Sequence, residues 1–150
     1  MSRTDPNPVI RKFQPGDTER LVAIWQSASS LAHPFLGDAF MAREATNLRT
    51  QHLPNVETWV LEDDGGPLGF IALVGDEIGG LFLDPSRHGQ GLGRTMVDHA
   101  FTIKGHLRVE VFEKNEIGRR FYDRYGFVEV GRYLHDASDE TIVRLELPSR

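Results

Sequence analysis

Cysteine is absent from all 150 residues, which rules out disulfides, thiolate metal sites and a cysteine nucleophile, and makes a reducing cytoplasm the expected location. No apolar run approaches the roughly 18 residues of a membrane span. The opening stretch MSRTDPNPVIRK carries no apolar signal core. Positive charge is also in deficit. Seventeen basic side chains stand against 22 acidic ones for a net charge of -5, so the basic footprint of a sequence-independent nucleic-acid binder is missing and a cationic partner suits the chain better. What is present is ordinary for a globular protein, 39% hydrophobic and 26% charged residues. A chain of this length buries about 68–70% of its unfolded surface, and it reads as one domain over 1–150.

Hydrophobic spacing gives the order of elements. Val9 to Phe13 reads as a strand broken by Pro15-Gly16-Asp17, with Asp17 expected to cap a helix whose apolar stripe is Leu21, Ile24, Trp25, Ala28 and Leu31. The segment Ala32 to Gly37 interrupts that helix. A second one opens at Asp38 and carries Phe40, Met41, Ala45 and Leu48 up to Pro54, so the connecting loop is a candidate binding surface. Thr58 to Leu61, Leu68 to Val74 and Ile78 to Leu83 read as an antiparallel meander, with turns at Asp63 to Pro67 and at Gly75-Asp76. Leu92, Met96, Ala100 and Ile103 then share a helical stripe, and Leu107, Val109 and Val111 alternate as a strand. The strands before and after that helix should therefore be parallel. Asn115 is placed to cap a short helix, with Ile117, Phe121 and Tyr125 facing inward and Gly126 closing it. Phe127 to Leu134 and Thr141 to Leu147 complete the sheet.

The stretch GLFLDPSRHGQGLGRT, from Gly80 to Thr95, holds the clearest functional signal. A strand enters a loop with glycines at 89, 91 and 93 and leaves as a helix, so the loop backbone can turn its N–H groups toward an anion at a positive helix end. A P-loop needs GxxxxGK[ST]; Gly89 to Gly93 is one residue short and Arg94 stands in place of lysine. A dinucleotide-binding turn needs GxGxxG early in a parallel unit, whereas GxGxG here follows a meander. A tight turn without a ligand is the structural alternative.

His88-Gly89-Gln90-Gly91-Leu92-Gly93 resembles the phosphate motif [Q/R]xxGx[G/A] of the GNAT superfamily of acyl-coenzyme-A-dependent N-acetyltransferases, with His88 where the family has Gln or Arg. Asn115, Phe121-Tyr122 and Gly126-Phe127 resemble the family's N…FY…GF segment. Ala23-Ile24-Trp25 with His33-Pro34-Phe35-Leu36 is similar to the opening of small stand-alone bacterial acetyltransferases of the YjaB type. The resemblance spans about Val9 to Leu147. It implies an α/β (α+β) fold with a mixed, mostly antiparallel sheet of about seven strands, splayed between strands 4 and 5 and flanked by about four helices.

It also implies direct transfer of an acetyl group from acetyl-CoA to a primary amine, of a small molecule or a protein lysine. No metal, nucleic acid or membrane is implied, and a homodimer is left open. On this likeness Leu81, Phe82 and Leu83 hold the pantetheine arm, and an N–H near Leu83 meets the oxyanion. His88 acts mainly through its backbone N–H, and Gly89, Gln90, Gly91 and Gly93 cradle the pyrophosphate. Gly79-Gly80 reads as a bulge opening the sheet or as a simple hairpin kink. Tyr122 is the expected general acid, against a plain core tyrosine. Asn115 both caps its helix and reaches the pantetheine. Arg94 pairs with a phosphate or is solvated, and Arg119-Arg120 reads as a solvated helix face. The general base stays open among Glu77, Glu110, Glu113 and His33, or proton loss to water. The competing functions are a non-catalytic acyl-coenzyme-A sensor and, disfavoured by the acidic balance, a toxin acetylating aminoacyl-tRNA.

Overall fold

A computed structural model describes residues 8–148. Seven strands form one sheet in the order β1-β2-β3-β4-β5-β7-β6. They are β1 (Val9–Lys12), β2 (Glu57–Asp63), β3 (Gly66–Val74), β4 (Glu77–Leu83), β5 (Leu107–Phe112), β6 (Val128–His135) and β7 (Glu140–Leu147). Only β4 and β5 run parallel; all other neighbours are antiparallel, as the meander and the β-loop-α-β spacing imply. The helices are α1 (Thr18–Ala32), α2 (Asp38–Asn47), α3 (Leu53–Asn55), α4 (Leu92–Lys104) and α5 (Glu116–Tyr125). A π-helical stretch, Leu48–His52, joins α2 to α3, so the second helical segment does run past Pro54.

Successive strand residues point to opposite faces, and two cores follow. Leu21, Ile24 and Trp25 of α1 pack with Val60 and Phe70 on one face. Met96, Val97 and Ala100 of α4, with Tyr122 of α5, pack with Leu61, Ile71 and Val109 on the other. Leu31, Ile103 and Ile117, expected on buried stripes, are exposed instead. Each lies in the terminal turn of its helix, past the reach of the sheet. Asp17 departs too. It stands at the N-cap of α1 without a side-chain capping bond. Its carboxylate takes the Gln14 N–H at 2.8 Å and pairs with Arg11 at 2.8 Å, and the Arg11 hydrogen bond holds its pKa below the usual range.

The feature that positions the site is a one-residue bulge. Ala72 faces Gly80 and Leu73 faces Ile78, so Gly79 has no partner on β3. On its other side β4 meets β5 only at Glu77 with Arg108 and Ile78 with Val109, and the strands then part. Beyond the parting, β4 is held by β3 alone, at a very close approach: a Cβ on Gly69 would lie 2.5 Å from the Phe82 carbonyl oxygen. Gly69→Ala is therefore expected to cost about 1–3 kcal/mol of stability, read as a lower urea midpoint. A midpoint equal to wild type would show that β3 and β4 have slack here.

Candidate active site

The C-terminal ends of β4 and β5 form the mouth of a V, and the loops that follow both strands close around it. This is the region where ligands enter open sheets. A cleft of about 990 Å³ runs from the glycine loop, past the parted strands, to the loop between α1 and α2. The exit of β4 is pinned: Asp84 accepts the Ser86 N–H at 3.0 Å and pairs with Arg20 of α1 at 3.1 Å. Gly89 and Gly91 then adopt φ of +79° and +78°, a region that strains L side chains. Among the described residues no backbone acceptor takes the N–H groups of Gly89, Gln90, Gly91, Leu92, Gly93 or Arg94. These are free donors at the start of a 13-residue helix.

Of the loop residues His88 departs from expectation, and Gly93 and Arg94 make further contacts. Gly93 has no left-handed φ; a Cβ there would meet the Phe121 ring at 3.0 Å, so its smallness lets α5 close on α4. His88 does not offer its N–H to the cleft, because that group donates to Pro85 O at 3.2 Å while the ring Nε2 lies 3.2 Å from Leu83 O. Arg94 lies over the Tyr125 ring at 4.6 Å. Gln90 accepts from Arg87 Nε at 3.2 Å. Arg94, Arg120 and Arg124 all line the cleft, and none is in an ion pair among the described residues. Arg120 is exposed, as a solvated helix face requires, and it also borders the cleft. Leu81, Phe82 and Leu83 lie on the stretch of β4 that has lost β5.

At the other strand end, Asn115 caps α5 by accepting the Gly118 N–H at 2.9 Å, as expected. Its Nδ2 lies 3.2 Å from His33 Nε2. An amide nitrogen only donates, so His33 Nε2 accepts and the ring proton is on Nδ1. Burial holds the His33 pKa down to about 4. Tyr122 is 5% exposed in the cleft wall, and burial raises its pKa above that of a free phenol. The carboxylates differ in their engagements. Glu113 pairs with Arg132. Glu110 accepts the Tyr133 O–H at 2.5 Å and pairs with Arg144 at 3.2 Å. Among the described residues Glu77 pairs only with Arg108, at 3.7 Å.

Residues 54–129 match the family described as acetyltransferase (GNAT) domain. Peptidyl-lysine N-acetyltransferase YjaB of Salmonella typhimurium is 37% identical over 124 residues, covering 82% of this chain and 85% of that protein. This chain belongs to the GNAT acetyltransferase family. The solution structure of apo-form YjaB from Escherichia coli superposes with a TM-score of 0.88 at 30% identity, covering 97% of this chain and 100% of that one. PaiA N-acetyltransferase from Thermoplasma acidophilum, solved with coenzyme A, shares the fold at 17% identity with a TM-score of 0.75, covering 97% of this chain and 100% of that one.

The chain is an N-acetyltransferase by its family, and structures of the same fold have been solved with coenzyme A and with acetyl-CoA. The residues present fit a phosphate-bearing donor of that kind: Gly89, Gly91, Leu92, Gly93 and Arg94, whose N–H groups have no backbone acceptor among the described residues, line the cleft together with three cations without ion pairs, each charge-assisted hydrogen bond being worth about 1.5–3 kcal/mol. At the cleft's other end the loop after α1 and His33 were expected, but the aromatic cluster around them was not. Phe112 meets His33 at 5.2 Å, Phe35 at 5.5 Å and His135 at 5.7 Å, and Phe40 meets His135 at 6.3 Å. Alternation along β5 already puts Phe112 on the face of Glu110 and was the available signal. Ser29, one turn before His33, also lines the cleft; its buried hydroxyl has no partner among the described residues.

Two outcomes follow from this geometry. Gly91→Ala should weaken coenzyme A binding about tenfold by calorimetry, since an L residue at this φ costs about 1–2 kcal/mol; unchanged affinity would separate the loop from the donor. His33 stays neutral in the folded state down to about pH 4 but titrates near 6.5 when unfolded. The unfolded state therefore binds the extra proton between those values, and stability falls as pH drops through that window. From pH 7 to pH 5 this group should cost about 2 kcal/mol, visible in urea unfolding and reduced in His33→Gln. An equal acid loss in both proteins would assign the effect elsewhere.

Proposed function

We propose that the enzyme acetylates the ε-amino group of lysine in a protein or peptide. The observation that carries this reading is the acceptor end of the cleft. Aromatic rings of Phe40 and Phe112 line it beside His33 and His135, and the carboxylates of Glu77 and Glu110 sit where the strands part. Such walls suit a four-methylene stem, and the carboxylates suit the ammonium at its tip. The names of the relatives at 36–37% identity, peptidyl-lysine N-acetyltransferases, support the same acceptor.

In this proposal the free N–H groups of Gly89 to Arg94, with Arg94, Arg120 and Arg124, hold the phosphates of acetyl-CoA. The unpaired edge of β4 at Leu81 to Leu83 holds its arm. When bound, acetyl-CoA supplies the thioester whose acetyl group moves to the amine. The ammonium must first lose a proton. Glu77 is assigned as the acceptor because it has the weakest engagement of the candidates, whereas Glu110 and Glu113 are held by cations and His33 Nε2 by Asn115. Tyr122 is assigned as the acid. Burial keeps its phenol protonated, so the O–H is available to a departing thiolate that the same apolar wall would leave costly to ionise.

The experiment is a thiol-release assay with acetyl-CoA against lysine peptides, polyamines, aminoglycosides and amino acids, with mass spectrometry of the product. Lysine peptides should be acetylated on Nε. Turnover confined to another amine would overturn the lysine assignment, and coenzyme A binding without any turnover would favour a sensor. Tyr122→Phe should lower kcat about a hundredfold, the scale of general acid catalysis, and leave acetyl-CoA affinity nearly unchanged. Full activity of that variant would remove Tyr122 from the chemistry.

A further inference from the structure

Helices α1 and α5 belong to opposite faces of the sheet, and they touch where β4 and β5 have parted. The polar contact there is a three-part chain. The Gly118 N–H donates to Asn115 Oδ1 at 2.9 Å, and Asn115 Nδ2 donates to His33 Nε2 at 3.2 Å. The backbone of His33 is fixed in turn, its N–H on Ser29 O at 2.7 Å and its carbonyl accepting from Leu36 at 3.1 Å. Its ring is wedged edge-on against Phe35 and Phe112. The Asn115 carboxamide is therefore oriented from both sides, and it lies so close over the first turn of α5 that a Cβ on Gly118 would sit 2.6 Å from Nδ2.

We infer that His33 is a positioning residue for acetyl transfer: through Asn115 it latches the acceptor loop after α1 to the helix that carries Tyr122, and it is not the base that deprotonates the amine. The inference rests on the assignment of Tyr122 to the proton transfer. An imidazole whose Nε2 lone pair already takes the Asn115 amide has no free site on that nitrogen for the substrate's proton. What it does have is a fixed direction. It sets the angle between the loop that meets the amine and the helix that meets the leaving group, and placement errors of about 1 Å between such groups cost rate steeply.

Three variants test this with acetyl-CoA and a lysine peptide. His33→Gln keeps an acceptor oxygen for Asn115 but cannot serve as an imidazole base. His33→Ala removes the acceptor. Gly118→Ala leaves His33 in place and crowds the Asn115 carboxamide, at 2.6 Å from Nδ2 and 3.2 Å from Oδ1, while alanine favours the helix, and Tm is read beside kcat. The latch predicts that Gln retains kcat within about threefold, that the two Ala variants each lose about tenfold in kcat with little change in KM for acetyl-CoA, and that the double Ala variant is no worse than either single. A base predicts instead that Gln and Ala fall together, that both lose the acidic limb of the kcat/KM profile, and that Gly118→Ala is normal. That pattern would overturn the inference. So would a fall in Tm in all variants with kcat per folded enzyme unchanged.

An independent readout separates this from the lysine proposal. If wild-type enzyme leaves the peptide untouched, nitrogen-15 spectra of His33 still report the tautomer without any acceptor present. A proton on Nε2 would sink the latch, and a proton on Nδ1 that becomes tautomerically mixed in Gly118→Ala would support it.

Discussion

Two residue pairs, Glu77 with Arg108 and Ile78 with Val109, join β4 to β5, and the cleft is arranged around the backbone this leaves unpaired. Unpaired peptide groups are costly when buried. Here they border a cleft rather than a core. Each strand keeps its other neighbour along its length, β4 through β3 and β5 through β7, so the V stays open without loosening either half of the sheet. The bulge at Gly79 makes this compatible with a continuous β3–β4 ladder, since it absorbs the change of direction in one residue.

The charges around that opening are sorted. Arg94, Arg120 and Arg124 line the end beside the glycine loop without ion-pair partners, whereas Glu77 and Glu110 stand at the parted strands. A polyanionic donor and a cationic acceptor can thus occupy one cleft, each against charge of opposite sign. Tyr133 adds order on the acceptor side. Its O–H on Glu110 holds the phenol pKa up to about 12 and fixes that carboxylate against β6.

The parts of this arrangement that were legible in the sequence are those set by local chemistry. Gly89 and Gly91 must be glycine because their φ is positive, and Asn115 three residues before Gly118 is a helix cap by spacing alone. Residue type misled where the reason for it is tertiary. Gly93 reads like its neighbours but is small to admit Phe121. The state of each candidate base was not legible at all. Glu113 is neutralised from 19 residues away, Glu110 is bound from 23 away, and His33 is held by a side chain 82 positions along. Periodicity carries no information about pairings at such separations.

The contact between His33 and Asn115 is itself a product of the parted strands. In a fully paired sheet α1 and α5 would lie behind opposite faces with a wall of backbone between them, and the two side chains could not meet. The parting of β4 and β5 is therefore also the opening across which the loop after α1 is tied to the helix of Tyr122. With the loop tied at one end, side chains further along it, such as Leu36 in the cleft wall, can change shape and so change which amine fits while Tyr122 keeps its place. The loop after α1 and the start of α5, 82 positions apart at His33 and Asn115, are thus joined by a single directional hydrogen bond.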